Sequence, residues 1–229
     1  MMLLKSRRQN IETNFSVPFG NSEIVPAQSV RVLGVTVDAA LAWDKHISSI
    51  RRRCYCVLIG LAKIRHRMPR QTRQLLVEAL VIPHLRYCIS VWGGCTATQL
   101  TRLQKCMNFG VRIIMDLSRC DRVTASLREL GWLKVDEMIR ERDLHIMYKL
   151  MHGTDASDLI RQHVTYRADV SSRSTRAARD EQLQIPRVRT EFARRSFLSR
   201  ATRQWNELPI DVRRSPTFIS FKKRLSECK

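Results

Sequence analysis

The spacing of apolar residues changes near Trp43, and this change constrains the fold more than any other feature of the sequence. Before it, Phe15, Val17 and Phe19 alternate with polar residues, which is the two-residue period of a half-buried strand. After it, apolar residues recur every three or four positions, as along one face of a helix. This helical stripe consists of Trp43, Ile47, Ile50, Cys54, Val57, Leu61 and Ile64. The sequence therefore predicts a small N-terminal β element followed by a mainly helical chain.

Residues 15–37 are predicted to form three strands. Gly20 favours a turn after the first strand, and a returning strand begins at Ile24. A third strand is predicted over residues 30–37, broken by Gly34.

Further apolar stripes predict helices in the middle of the chain. A second helix begins near Arg70 and ends near Pro83, because the residue before a proline avoids the helical region. Its predicted inward face consists of Leu75, Leu76, Ala79 and Leu80. A third helix has the buried stripe Leu100, Leu103, Met107, Val111, Ile114 and Leu117. Two more helices are predicted near 122–130 and 135–151.

The composition changes again toward the C-terminus. Residues 164–189 are rich in Ser, Thr and Arg, and we expect a flexible linker or a long surface loop. Order is predicted to return at Thr190, a favourable helix N-cap, and Ser215-Pro216 is predicted to start the final helix. The apolar sides of these last helices are Phe197, Leu198, Ala201, Trp205 and Leu208, and then Phe218, Phe221 and Leu225.

The charge balance points to a polyanionic partner. The chain has 41 Lys and Arg against 21 Asp and Glu, a net charge of +20. Such an excess raises self-repulsion, which a nucleic acid would relieve. The alternatives are a solvated basic surface without a partner and an anionic membrane surface, for which no basic amphipathic anchor is evident. No apolar run approaches the length that crosses a bilayer, so we expect no membrane association.

The seven cysteines are predicted to be buried thiols rather than zinc ligands. No pair has the two-residue spacing that lets a short turn place two sulfurs on one tetrahedral ion. The apolar start, Met1–Leu4, is too short for a signal peptide. We therefore expect an intracellular protein of the nucleus or cytoplasm, not a secreted one, with its thiols reduced.

A series of short motifs resembles the non-LTR (jockey-like) retrotransposon reverse transcriptases. The segment Ser29–Asp38, followed by Leu41, Trp43, His46 and Ile47, resembles the part of that family just downstream of its catalytic turn. Later motifs occur in the family's order. They are Val81, Pro83, Tyr87, Val91, Trp92 and Gly93; Leu103, Gln104, Arg112, Ile113 and Ile114; and Pro186, Arg189, Thr190, Trp205, Asn206, Leu208, Pro209, Phe221 and Lys222. The resemblance covers about residues 28–225.

The resemblance implies an architecture for the chain. Val32, Leu33 and Gly34 would belong to a primer-grip-like hairpin, and the helices that follow would form a thumb-like bundle. The implied divisions are 1–40 for the remnant of the palm strands and primer grip, 41–120 for the thumb-like helical domain, 121–163 for a helical extension, 164–189 for the linker and 190–229 for the C-terminal helical segment.

Catalytic aspartates of the reverse-transcriptase type are not found in this sequence. Polymerases hold two metal ions with aspartates, and reverse transcriptases resemble one another in a Tyr/Phe-x-Asp-Asp turn. This sequence contains no Asp-Asp pair. Asp38 and Asp44 are interpreted instead as a turn residue and a charge at a helix N-terminus. We expect a fragment of an RNA-directed DNA polymerase that is inactive alone and holds no cofactor, although the complete polymerase would need Mg.

Basic residues on two of the predicted helices are the candidates for contact with RNA and DNA. Arg102, Lys105 and Arg112 form a basic row that also contains Phe109, a combination suited to a sugar-phosphate backbone. Arg51, Arg52 and Lys63 are the candidates on the first long helix. The expected partner is a primer–template duplex. Two alternatives remain open: a domesticated helical protein-interaction module, and a polymerase subunit that depends on the missing domains, including a palm, in a separate chain.

Overall fold

The computed structural model describes residues 2–4, 15–153, 158–170 and 181–228. These residues form two compact units. Unit 1 contains the described parts of residues 1–88 and 95–135, and unit 2 contains residues 89–94 and the described parts of 136–229. In the described ranges, no helix combines the length and apolarity needed to span a bilayer.

The strands form two separate antiparallel pairs. The first pair is β1 (Val17–Phe19) with β2 (Ser22–Ile24), and the second is β3 (Ser29–Val32) with β4 (Val35–Asp38). The single broken strand predicted over 30–37 is therefore wrong. Leu33 and Gly34 have φ angles of 46° and 83°, and two successive positive φ angles reverse the chain in a two-residue hairpin turn.

Helices make up most of the described residues and confirm the mainly α class with a small N-terminal β element. The helices are α1 (Asp44–Ile64), α2 (Arg70–Leu80), α3 (Ile82–Arg86), α4 (Ile89–Trp92), α5 (Ala97–Met115), α6 (Thr124–Glu129), α7 (Val135–His152), α8 (Asp158–Arg161), α9 (Arg167–Val170), α10 (Glu191–Arg194), α11 (Phe197–Asn206), α12 (Ile210–Arg213) and α13 (Phe218–Glu227). The last helix has Thr217 as its N-cap, two residues later than the predicted Ser215-Pro216 start.

The core of unit 1 is built on α1 and α5. The stripe predicted for α1 is confirmed at Ile47, Ile50, Cys54 and Leu61, which are buried. It is wrong in the middle of the helix, where Leu58 is fully buried and Val57 is only half-buried, and at the end, where Ile64 is 46% exposed. On α5 the buried side chains include Leu103, Met107, Val111 and Ile114, as predicted.

The predicted inward face of α2 is wrong. Leu75 and Leu80 are 65% and 45% exposed, whereas Val77 is buried. Val77 lies against Gly110 of α5, where an added Cβ would meet its Cγ1 at 3.0 Å. Residues two apart on a helix point roughly 200° from each other, so a helix that buries Val77 turns Leu75 toward solvent.

The core of unit 2 is aromatic and includes part of the predicted linker. Tyr148 stacks on Phe221 with ring centroids 4.6 Å apart, and Trp205 lies 5.8 Å from Phe221. Leu183 is fully buried, and the Asn206 side chain bonds both its N–H and its carbonyl at 2.8 Å. This part of the predicted surface loop is therefore core, while 171–180 lies outside the described residues.

Candidate nucleic-acid interface

The two helices that carry the predicted contact residues run side by side in unit 1. Gln99 completes a capping box with Thr96 at the start of α5, and its Nε2 donates to Ala42 O at 2.9 Å and Asp44 Oδ1 at 2.6 Å. These bonds join the first turns of α1 and α5. Farther along the same two helices, Tyr55 lies 6.0 Å from Phe109 between ring centroids. Because position increases together along both helices, α1 and α5 are parallel.

Positive charge dominates these two helices. They contain eight Lys and Arg and one acidic residue, Asp44. The basic residues are Lys45, Arg51, Arg52, Arg53, Lys63, Arg102, Lys105 and Arg112. Arg52, Lys63, Arg102 and Lys105 are exposed, and no carboxylate of the described residues lies within 4.0 Å of their charged groups. Their charge is therefore left to solvent.

An aromatic pair lies between the two helices beside these charges. Tyr55 of α1 and Phe109 of α5 are both half-buried, with an interplanar angle of 33°. The Arg51 guanidinium carbon lies 6.0 Å from the Tyr55 ring centroid, at the outer range of a cation–π contact. Burial raises the pKa of the Tyr55 phenol. The sequence analysis included Phe109 but missed Tyr55. The signal was present, because Tyr55 follows Arg51 by four residues and the two side chains therefore share one side of α1.

Arg112 is less available than the other candidates. Its guanidinium donates to the carbonyls of Ser118 and Asp121, each at 3.2 Å. These bonds satisfy carbonyls in the turn that follows α5, after the helix ends at Asp116 with φ 55°. Part of the basic row therefore stabilises the fold locally.

The predicted primer-grip residues form the tip of the β3–β4 hairpin. Leu33 is 86% exposed and Val32 is 50% exposed. Tyr87 Oη donates to Leu33 O at 2.6 Å, and a Cβ on Gly34 would lie 3.5 Å from the Tyr87 ring. The aromatic side chain thus fixes the tip while the leucine side chain projects into solvent.

The base of the same hairpin is tied to the start of α1. The Asp38 carboxylate accepts backbone N–H bonds from Ala40, Ala42 and Trp43 at 2.8–3.1 Å, so the interpretation of Asp38 as a turn residue is confirmed. His46 Nδ1 accepts from the Thr36 N–H at 3.3 Å. Burial, with a smaller contribution from the Arg53 charge, lowers the pKa of His46.

The chemistry of the described residues gives no metal-binding arrangement. Across 2–4, 15–153, 158–170 and 181–228, no group of three or more His, Cys, Asp or Glu is placed to hold a metal ion. The prediction that all seven cysteines are buried is wrong. Cys54, Cys95 and Cys106 are buried and Cys88 is half-buried, whereas Cys56, Cys120 and Cys228 are exposed. Cys56 lies two residues from Cys54 on α1, so it points to the opposite side of the helix. Burial raises the pKa of the Cys54 thiol to about 12.

A relative with a described activity matches part of this chain. The chain is 28% identical over 141 residues to the probable RNA-directed DNA polymerase from transposon BS of Drosophila melanogaster. The match covers 60% of this chain but only 14% of the length of that protein. No protein-family model matches the chain, and no solved structure matches it significantly. The alignment supports a relationship between this chain and retrotransposon reverse transcriptases.

Proposed function

We propose that this chain corresponds to the primer-grip and thumb region of a retrotransposon reverse transcriptase and binds a primer–template duplex through the outer surface of α1 and α5. The observation that carries the proposal is the set of exposed cations beside the Tyr55–Phe109 pair that have no carboxylate partner among the described residues. Lys and Arg side chains at the surface neutralise backbone phosphates and release counterions.

The arrangement of charge on α5 supports a backbone contact. Arg102 and Lys105 are three residues apart, so they share one face of the helix, and Phe109 follows four residues later on that face. A row of cations along one helix matches the spacing of successive phosphates better than isolated charges would. Backbone contacts carry little base information, so sequence preference should be slight.

The test is the salt dependence of binding by the purified full chain. A fluorescently labelled RNA–DNA duplex and an unlabelled competitor of different sequence would be titrated by anisotropy at several salt concentrations. About four to six phosphate contacts predict a slope of log affinity against log salt of roughly −4 to −5. Binding that persists in molar salt, or a strong preference between the two sequences, would contradict the proposal.

We also propose that the chain by itself does not extend a primer. A polymerase needs carboxylates to hold two Mg²⁺ ions, and the sequence contains no Asp-Asp pair. The chain should leave a labelled primer on an RNA template unextended in the presence of Mg²⁺ and nucleotides. Template-dependent extension by preparations free of other polymerases would overturn this part.

A polymerase palm is the protein partner that the strands favour. β1–β2 and β3–β4 are two-stranded sheets, and Phe19, Val25 and Leu33 are 72%, 64% and 86% exposed. Such open edges and exposed side chains pair readily with further strands. Palm strands of a related polymerase, supplied in a separate chain, should shift these residues to buried, slowly exchanging environments in hydrogen exchange.

The second candidate function is a helical protein-interaction module. The exposed leucines of α2, Leu75 and Leu80, favour it, because exposed apolar side chains on one helix suit a protein partner. Replacing both by glutamine should leave duplex binding unchanged. If the full chain fails to bind duplex at low salt, this second candidate moves ahead of the first.

A further inference from the structure

Two lysines from different helices of unit 2 converge on one aromatic ring. Lys149 Nζ of α7 lies 5.2 Å from the centroid of the Phe218 ring, and Lys222 Nζ of α13 lies 4.5 Å from it. Both lysines are exposed, whereas Phe218 is half-buried against the aromatic core. In the described parts of the chain, no carboxylate lies within 4.0 Å of either ammonium group.

This pair leaves positive charge concentrated and unneutralised. Because each ammonium lies within 5.2 Å of the same centroid, the two charges are no farther apart than about one Debye length in 0.1 M salt, roughly 10 Å. They therefore repel each other. The ring quadrupole attracts both ammonium groups.

Two other cations near this core are used in ion pairs. Arg200 pairs with Asp143, and Arg214 pairs with Glu181. Lys149 and Lys222 differ from them because no carboxylate of the described residues lies within 4.0 Å of their ammonium groups. Lys223, also exposed, follows on the same helix and adds to the local charge.

We propose that Lys149 and Lys222 form a second phosphate-binding site, on unit 2, whose ligand is the backbone of a nucleic acid. The choice of nucleic acid rests on the proposed function, whereas the site is independent of α1 and α5. Each ammonium group binds one backbone phosphate, and the two phosphates offset the repulsion between the lysines. A membrane surface is the weaker fit, because α13 presents one exposed isoleucine, Ile219, beside its lysines rather than a broad apolar face.

The test compares three full-length proteins on the same labelled duplex: the parent, Lys149→Gln/Lys222→Gln, and the charge-matched control Arg142→Gln/Arg187→Gln. The control arginines are exposed, and neither lies over an aromatic ring of the described residues. Two lost phosphate contacts should flatten the slope of log affinity against log salt by about 2 units in the lysine variant. The control should retain the parent slope, and thermal melting should show all three folded.

A further variant, Phe218→Leu, keeps both charges but removes the ring that positions them. It should weaken duplex binding while leaving most of the salt slope in place. Binding to vesicles rich in phosphatidylserine tests the alternative ligand, a membrane. The lysine variant and the parent should bind these vesicles equally.

The outcomes separate this inference from the proposed function. If the parent binds duplex but the lysine variant keeps the parent slope, or the control flattens it equally, the unit 2 site is excluded and the proposed function stands. Lysine-dependent binding to vesicles without an effect on duplex would assign the site to a membrane instead. If the parent does not bind duplex at all, both proposals fail.

Discussion

Two exposed arginines of unit 1 contrast with one buried arginine of unit 2. On α1 and α5 of unit 1, Arg52 and Arg102 are exposed and have no acidic partner among the described residues. In unit 2, Arg200 is largely buried. Its Nε donates to Asp143 Oδ2 at 2.6 Å, and its Nη atoms donate to the carbonyls of Arg195 and Ser90 at 2.7 and 3.0 Å. The charges of Arg52 and Arg102 are left to solvent, whereas the guanidinium of Arg200 organises the interior of unit 2.

The difference lies in whether the cation is compensated inside the fold. Asp143 is fully buried, and burial raises the pKa of its carboxyl while the Arg200 charge and bonds oppose that rise. A Cβ on Gly93 would lie 2.6 Å from Ile89 O and 2.8 Å from Ile139 Cγ2, besides 3.2 Å from Arg200 Nη2, so no larger residue fits there without displacement. The buried Arg200 guanidinium also donates to Asp143 Oδ1 at 3.2 Å, so it bonds four acceptor atoms inside the fold. An exposed arginine with no carboxylate partner among the described residues keeps its N–H groups free to bind a phosphate.

The largest expected effect on stability comes from breaking this buried pair. Asp143→Ala leaves the Arg200 charge buried without its counter-ion, which should lower the free energy of unfolding by about 3–5 kcal/mol. Asp136→Ala removes an exposed carboxylate from the first turn of the same helix and should cost less than about 1 kcal/mol. Urea unfolding measures both, and equal losses would mean that the Arg200 network is not structural.

The next effect tests the apolar core on which α1 and α5 are built. Leu58→Ala should destabilise the protein by about 2–5 kcal/mol, because the side chain is fully buried. Ile59→Ala, at a neighbouring position that is 50% exposed, is the matched control and should change stability by less than about 1 kcal/mol. If Ile59→Ala were more destabilising than Leu58→Ala in thermal or urea unfolding, the assignment of Leu58 to the buried face of α1 would be contradicted.

A smaller effect concerns the link between the β3–β4 hairpin and α1. The pKa of His46 is lowered from 6.5 in the fold, so below that pH the unfolded chain binds more protons than the folded one. Stability should therefore fall as pH drops from about 6.5 toward the folded pKa, and be unaffected by this group above it. His46→Gln should flatten that part of the stability–pH profile, whereas replacing the exposed His66 should not. An unchanged profile in the His46 variant would contradict the assignment.

The same contrast explains how far sequence reasoning reached. The stripes of α1 and α5 were predictable because one face of each helix meets the core and the other meets water. The exposure of Arg52, Arg102 and Lys105 followed from that division. On α2 several apolar residues lie on different sides, so the period alone could not decide that Val77 rather than Leu75 is buried.

Other features depend on contacts between residues far apart in sequence. Asp143 and Arg200 are 57 positions apart, and no local pattern signals that they pair. The bonds from Arg112 to the turn after α5 depend on the path of that turn. The Leu33–Gly34 reversal had a local signal, since a glycine after a strand-like run permits a hairpin as well as a break.

The central claim is that the exposed cations of α5 bind a phosphate backbone, and one comparison of salt dependence tests it most directly. Arg102→Gln/Lys105→Gln, which spares Arg112 and the helix core, would be compared with Arg67→Gln/Arg128→Gln, two exposed arginines of the same unit outside α1 and α5. The α5 variant should flatten the slope of log affinity against log salt on duplex by about 2 units, and the control should keep the parent slope. Identical slopes for the parent and the α5 variant would contradict the account.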